Sequence, residues 1–239
     1  MIAAMCHLYR VTERETYLQA AVEAQRFIEE HLCENDVLYT SYRKERRSEA
    51  GFLDDYANEI FALLALYEAS LNQKYLEKAR RFCGKVIQDF YDEEHGGFFL
   101  YGKENEQLIL RPKETYDGAV FSGNSAMAYN LVRLYLITGE EYFAELAERQ
   151  LGFMSTAAEH YPAGYSMFLM ALLDYMETPE KITVVVKERQ DLKGLASRIP
   201  LGAIVTVLDG PTAEYPMKND RTTYYICREH MCLSPVNEY

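Results

Sequence analysis

One three-residue pattern constrains this chain more than any other. A leucine, an aromatic nine positions on and an alanine four further recur as Leu8, Tyr17, Ala21, as Leu66, Tyr75, Ala79 and as Leu134, Phe143, Ala147. Each copy spans a short polar break, so each predicts two helices joined by a tight turn. The copies are offset by 58 and then 68 residues, and the variable part is the segment between one hairpin and the next. Repeated helical hairpins bury their apolar faces by stacking side by side, with insertions confined to one end.

The two helices of a unit differ. Residues 74–90 place Tyr75, Leu76, Ala79, Phe82, Cys83, Val86, Ile87 and Phe90 on one stripe, with Glu77, Lys78, Arg80, Arg81, Lys85 and Gln88 largely opposite, which predicts a surface helix. Residues 126–137 hold only Asn130 and Arg133 as strongly polar groups, and residues 56–67 only Asn58 and Glu59. Helices apolar nearly all round are buried. Residues 164–176, with Ser166 and Asp174, read as a third inner helix without an outer partner. Alternating buried and surface helices predict a double-layered α/α toroid whose inner helices all start at one end. Residues 51–56, 116–125 and 160–165 should meet there, with residues 37–42, 97–101 and 107–110 as strands of small rim hairpins.

After Thr178-Pro179 the pattern changes. Residues 181–187 and 203–208 are β-rich and flank a short helix at 191–198, predicting a β-α-β unit, and residues 224–228 with 231–234 add a hairpin. The chain therefore divides into an incomplete toroid, residues 1–178, and a small α/β appendix, residues 179–239. Leu208-Asp209-Gly210 lacks the glycine pattern that cradles a phosphate, so no nucleotide cofactor is expected.

A chain of 239 residues, 49% hydrophobic, can bury a substantial core. The formal charge of −12 and the absence of a basic stripe argue against nucleic acid. Arg43-Lys44-Glu45-Arg46-Arg47 reads as a solvated hairpin tip. No apolar run reaches the roughly 20 residues of a membrane span. Cys6, Cys33, Cys83, Cys227 and Cys232 are odd in number and scattered, which suits reduced thiols in the cytoplasm. Cys227-Arg228-Glu229-His230-Met231-Cys232 holds two thiols and an imidazole but lacks a second ligand pair, so no metal is expected.

The loop at residues 110–125, LRPKETYDGAVFSGNS, crowds charged, aromatic and small residues between two apolar helices, and loops of that kind carry function. Together with Gly51-Phe52-Leu53-Asp54-Asp55-Tyr56-Ala57, Leu64-Ala65-Leu66-Tyr67-Glu68-Ala69 and Gly96-Gly97-Phe98-Phe99, its Arg111-Pro112-Lys113-Glu114, Asp117-Gly118-Ala119 and Ser122-Gly123-Asn124-Ser125 resemble the signature text of one family. It is the family of thioredoxin-domain-containing proteins that includes the spermatogenesis-associated protein. The resemblance runs over essentially the whole chain, through Tyr225-Ile226-Cys227-Arg228, Cys232 and Pro235. It implies the C-terminal part of an (α/α)6 toroid, similar to sugar epimerases and six-hairpin glycosidases. It also implies a chain shortened at its N-terminus, without the family's thioredoxin-like domain. Phe121 stands where the family usually has proline.

A sugar ligand at the inner-helix N-terminal end is the expectation that follows. Sugar epimerisation needs an acid and a base on opposite faces, and glycoside hydrolysis two carboxyls about 5 to 9 Å apart. Asp55 and Asp117, from different repeats, are the candidate catalytic pair. Asp54, Tyr56, Arg111, Lys113, Tyr116, Ser122, Asn124 and Tyr165 are candidate substrate contacts. Each also has a plainer role. Asp54 or Asp55 suits a helix N-cap, Asp117-Gly118 a turn, Ser122 a cap, and Arg111 and Lys113 salt bridges. His95 and His160 lie in loops at that end and offer a second acid/base pair, whereas His7 reads as a core residue and His31 as a helix end. The alternative is a non-catalytic scaffold or binding module of a larger thioredoxin-domain protein; on either reading the exposed apolar faces of an incomplete toroid are expected to favour a homo-oligomer.

Overall fold

The computed structural model describes residues 1–228 and 231–239. Helices α1 (Ile2–Thr12), α3 (Leu53–Ser70), α5 (Gly123–Thr138) and α7 (Ser166–Met176) pack on one another in that order as an inner layer. Helices α2 (Glu15–Phe27), α4 (Gln73–Phe90) and α6 (Glu141–His160) return outside α1, α3 and α5. The result is a mainly helical arc of a double-layered α/α toroid. Its inner layer has four helices where the sequence suggested three.

The threefold pattern acquires a physical meaning in these hairpins. Ala21, Ala79 and Ala147 are fully buried, the small residue letting each outer helix approach its inner partner. Each break is a single residue in the left-handed region, Glu13, Leu71 or Gly139, five positions after the repeated leucine. Its N–H closes the inner helix onto the carbonyl of Tyr9, Tyr67 or Tyr135 at 2.6–2.8 Å. Only the third break uses glycine, the residue that adopts this conformation without steric penalty.

Strands β1 (Cys33–Glu34) and β2 (Val37–Leu38), and β3 (Tyr42–Arg43) and β4 (Arg46–Arg47), form two tiny hairpins between α2 and α3. The second has the basic run at its tip. The other expected rim hairpin is absent. Tyr91 and Phe98 form one isolated bridge, and Leu108, Ile109 and Leu110 are exposed. That loop is tied down by side chains instead of a ladder: Arg111 donates to the Tyr101 carbonyl at 3.0 Å and Lys113 to that of Gly96 at 2.5 Å.

The C-terminal segment forms a four-stranded sheet in the order β6-β5-β7-β8, from β5 (Lys181–Val185), β6 (Ile204–Leu208), β7 (Thr223–Arg228) and β8 (Met231–Cys232). β5 and β6 are parallel and linked through α8 (Leu195–Arg198), the others antiparallel. Ile182, Val184, Leu195, Val205 and Val207 make a second apolar cluster. It sits on the C-terminal ends of the inner helices, where Tyr67 donates to the Val205 carbonyl and Gln73 to that of Val207.

Four charges pin this junction, one from each inner helix. Arg10 of α1 and Arg133 of α5 both bind Glu68 of α3, and Arg133 also reaches Asp174 of α7 at 3.4 Å. Further guanidinium N–H groups donate to the Ala196, Ile199, Pro200, Gly202 and Ala203 carbonyls of the β5–β6 crossover, while Arg133 Nε is buried without a partner among the described residues. Arg133 is 1% exposed, so its charge depends on these partners.

Three expectations are corrected here. His7 is exposed and not in the core, lying off the faces by which α1 packs on α2, α3 and α8 among the described residues. Helix α7 buries only Met167, Phe168 and Ala171, leaving Met170, Leu173 and Met176 in solvent. Cys227 and Cys232 are not free thiols but a disulfide across the β7–β8 pair, with Cα atoms 4.0 Å apart. His230, the imidazole of that motif, lies outside the described residues.

Glu68→Leu strands two buried guanidinium groups and should destabilise the chain by about 3–5 kcal/mol in urea unfolding. A loss below about 1 kcal/mol would show that the charges are not coupled. Glu13→Gly relieves a left-handed non-glycine at an exposed helix end and should instead stabilise by about 0.5–1 kcal/mol.

Candidate functional site

The N-terminal ends of the inner helices converge opposite the sheet, as the repeat pattern requires. Most of the polar residues predicted to face a ligand there hold the loops together instead. Asp117 is buried, and its two carboxylate oxygens accept from the N–H groups of Ser122 and Met167, each at 2.9 Å. It therefore ties the start of α5 to the start of α7. Ser122 caps α5, its Oγ accepting from the Ser125 N–H and donating to the Thr115 carbonyl. Asn124 is fully buried: Oδ1 accepts from the Phe98 N–H at 2.8 Å, and Nδ2 donates to the Phe98 and Glu114 carbonyls. The amide reproduces a strand-like exchange with Phe98 and leaves nothing for a sugar.

Tyr56 is likewise enclosed. Its hydroxyl accepts from the Leu38 N–H at 3.0 Å, and burial pushes its pKa up to about 12. Lys113 pairs with Asp92 at 2.7 Å, which holds that carboxyl well below the usual range, and its ammonium lies over Phe99 and Phe153. Arg111 stacks 3.9 Å from the Phe99 ring centroid. Tyr116, half exposed, stacks on Tyr161 and meets Tyr165 edge-on, with Gly164 beneath it where a Cβ would lie 2.5 Å from the ring. His95 approaches Asp92 at 3.4 Å, and His160 Nδ1 lies 2.7 Å from the Thr156 carbonyl in its own helix.

The start of α3 behaves differently. Asp55 turns back on its helix and accepts from the Phe52 N–H at 2.8 Å, a capping interaction. Asp54 turns towards α5. A Cβ on Gly123 would lie 2.5 Å from Asp54 Oδ1, so glycine at the first position of α5 admits the carboxylate. That oxygen is buried against α5, with the Gly123 N–H beside the carboxyl. Burial raises the Asp54 pKa; the Gly123 N–H opposes this, and the charges of Asp55 and Glu114 add to it.

Asp54 and Asp55 border an open cleft of about 790 Å³ between the first turns of α1 and α3, the end of α2 and strand β2. Phe61, Phe121 and Tyr39 line it, Phe61 and Phe121 meeting edge-on at 5.8 Å. Glu59 lies one turn deeper. It is 5% exposed, and its Oε1 accepts from Gln25 Nε2 at 2.5 Å. Burial raises its pKa from 4.5 to about 7, against the opposing effects of the Gln25 hydrogen bond and the Lys78 charge. A carboxyl there can give or take a proton at neutral pH. The sequence marks Glu59 as a rare polar residue in a buried helix and Phe121 as a departure from the signature text it resembles, and neither is among the residues expected at a site. A lone carboxylate in an otherwise apolar inner helix was the available signal.

No family model matches the chain. It is similar to spermatogenesis-associated protein 20 of Homo sapiens, 30% identical over 207 residues, and of Rattus norvegicus, 31% over 208. Both matches cover 79% of this chain and 26% of the relative, so the chain spans about a quarter of these proteins' length. Among solved structures it resembles cellobiose 2-epimerase from Bacillus thermoamylovorans, with a TM-score of 0.53 and 20% identity over 63% of this chain and 41% of the enzyme. It also resembles a family 76 α-mannanase of Bacteroides thetaiotaomicron, with a TM-score of 0.56 and 15% identity over 82% of this chain and 53% of the enzyme. The fold is that of part of a double-layered α/α toroid, the architecture shared with these solved structures. Among the described residues, no helix is long and apolar enough to cross a membrane.

The folded state holds the Glu59 proton more tightly than the unfolded chain, so stability falls as pH rises from 4.5 to about 7 and levels off above. Glu59→Gln keeps the size and removes the titration. It should be more stable than the parent at pH 8 by up to about 3 kcal/mol, with the gap closing near pH 4. A pH-independent difference in urea midpoints would refute the assignment. Asp117→Asn turns a donor towards a backbone N–H and should lose about 2 kcal/mol at pH 7.

Proposed function

We propose that this chain is the C-terminal part of a protein of the spermatogenesis-associated type, with residues 1–178 as an incomplete sugar-binding toroid and residues 179–239 as an appendix closing its far end. The cleft at the start of α3 supports this reading most directly. It combines aromatic walls, on which sugar rings stack, with carboxyl groups that hydrogen-bond hydroxyls. Asp54 and Glu59 are the groups suited to proton exchange with a bound sugar. Asp55 and Asp117, the expected pair, are engaged by backbone N–H groups and support the loops around it.

The alternative role is a scaffold within a larger protein. The internal pairing of Asp117, Ser122, Asn124 and Tyr56 favours it, because a rim whose polar groups satisfy one another offers a ligand little.

Thermal melts with neutral, amino and acidic sugars at millimolar concentration separate the two. A ligand present at about 100 times its Kd adds about 2.7 kcal/mol of stability, a readable shift. The site reading expects at least one sugar to raise the melting temperature, the shift to vanish in Asp54→Asn and Glu59→Gln, and to persist in Asp117→Asn. A melt unmoved by every sugar would leave the scaffold role.

A further inference from the structure

We propose that Tyr116 and Tyr161 form a second sugar contact at the inner-helix N-terminal end, a stacking platform for one pyranose ring of a β-1,4-linked chain. It rests on the reading that the toroid binds sugar, but not on the carboxyl groups of the cleft.

The geometry of the two rings carries the first part. Their planes lie within 10° of parallel, with centroids 6.4 Å apart, so a flat group aligned with one ring is aligned with the other. Both are more than half exposed, at 54% and 56%. Gly164 sets this arrangement: a Cβ there would lie 2.5 Å from the Tyr116 ring and 2.8 Å from that of Tyr161, so a larger residue would push both rings away. Tyr165 is buried and meets Tyr116 edge-on at 6.2 Å. Asp117 fastens the two segments that carry the pair. Its N–H donates to the Gly164 carbonyl at 2.8 Å, and its Oδ2 accepts from the Met167 N–H at 2.9 Å. The Gly164 N–H in turn donates to the Tyr161 carbonyl at 3.0 Å. Rings held in advance lose little freedom when a ligand settles on them.

Ring chemistry carries the second part. A tyrosine face is apolar, and the hydroxyl at its tip donates or accepts. A pyranose whose hydroxyls are all equatorial matches this surface, because its axial C–H bonds make both faces apolar and leave the rim polar. Nucleobases also stack on aromatic rings, but their phosphates call for lysine and arginine, and this chain carries a formal charge of −12. An exposed platform covers only one face of a sugar. A free monosaccharide therefore gains little there, whereas a chain with further units in reach of the protein gains more. The neighbouring surface suits such a chain. Tyr116 lies five residues before Phe121, which lines the cleft, so one loop supplies aromatic rings to both places.

Glucose, cellotetraose and β-1,4-mannotetraose, whose axial 2-hydroxyl obstructs one ring face, form the test set for calorimetry on the full chain. Cellotetraose should bind about tenfold more tightly than glucose and severalfold more tightly than mannotetraose. Tyr116→Ala and Tyr161→Ala should each weaken cellotetraose about fivefold, while Tyr116→Phe and Tyr161→Phe keep most of the affinity. Gly164→Ala should weaken it too, with both aromatics still present; thermal melts confirm that each variant is folded. The tyrosine effect should persist in Asp54→Asn. Equal affinity for cellotetraose and glucose, or a cellotetraose affinity unmoved by either alanine, would overturn the inference, and a glucose response lost in Asp54→Asn would still leave the cleft standing. Cellotetraose held through the tyrosines with no glucose response would keep the platform and remove the cleft. A decaproline peptide bound more tightly than cellotetraose and lost in the same variants would overturn the inference by assigning the rings to a polyproline helix. No binding of any sugar would remove the platform and the sugar reading together.

Discussion

Glu68 is the residue on which the two layers and the sheet depend in common. It lies in the middle inner helix pair, accepts from Arg10 on one side and Arg133 on the other, and is almost wholly buried. Two guanidinium groups are more than one carboxylate can satisfy. Asp174 takes part of the excess, and five carbonyls of the β5–β6 crossover take more of it. The sheet is therefore fastened where the inner helices need polar partners. Apolar packing alone would let helices slide along one another, whereas a charge network with fixed donor geometry sets their register.

This division gives the arc two unlike ends. At the C-terminal end of the inner helices, charged side chains and the carbonyls of the β5–β6 crossover bind each other. At the N-terminal end the helix N–H groups must be capped by loop residues, and Ser122, Asp117 and Asp55 do so. Capping consumes the acceptors that a ligand would otherwise meet. The part left open lies between α1 and α3, where small residues at Ala3, Ala4 and Ala62 and the turn-away of Asp54 towards Gly123 leave room.

The same logic explains which of the expected site residues stay exposed and which are enclosed. Tyr116 stays exposed because its partners are aromatic and satisfy no polar atom. Asn124 and Tyr56 occupy positions that sequence alone places at the opening, yet their polar atoms bond to backbone on neighbouring segments, Phe98 and Leu38. Those segments are distant in sequence, and nothing in the local pattern announces that their backbone groups lack ladder partners. The expected strands at residues 97–101 and 107–110 fail for the complementary reason: side chains from the 111–124 loop had already supplied the hydrogen bonds.

The sequence by itself determined the helical hairpins, their inner and outer layers, the end at which the loops gather and the βαβ character of the C-terminal segment. Periodicity and capping are local, so they survive without knowledge of the fold. The tertiary structure alone decided that one face of α7 and the face of α1 bearing His7 are exposed, that Cys227 and Cys232 are bonded, and which carboxyl groups are engaged. It also engages Asp55 and Asp117 with backbone N–H groups and leaves Asp54 and Glu59 bordering the cleft. A carboxylate's role depends on which donors reach it and how much water it keeps, and both are set by residues brought from elsewhere in the chain.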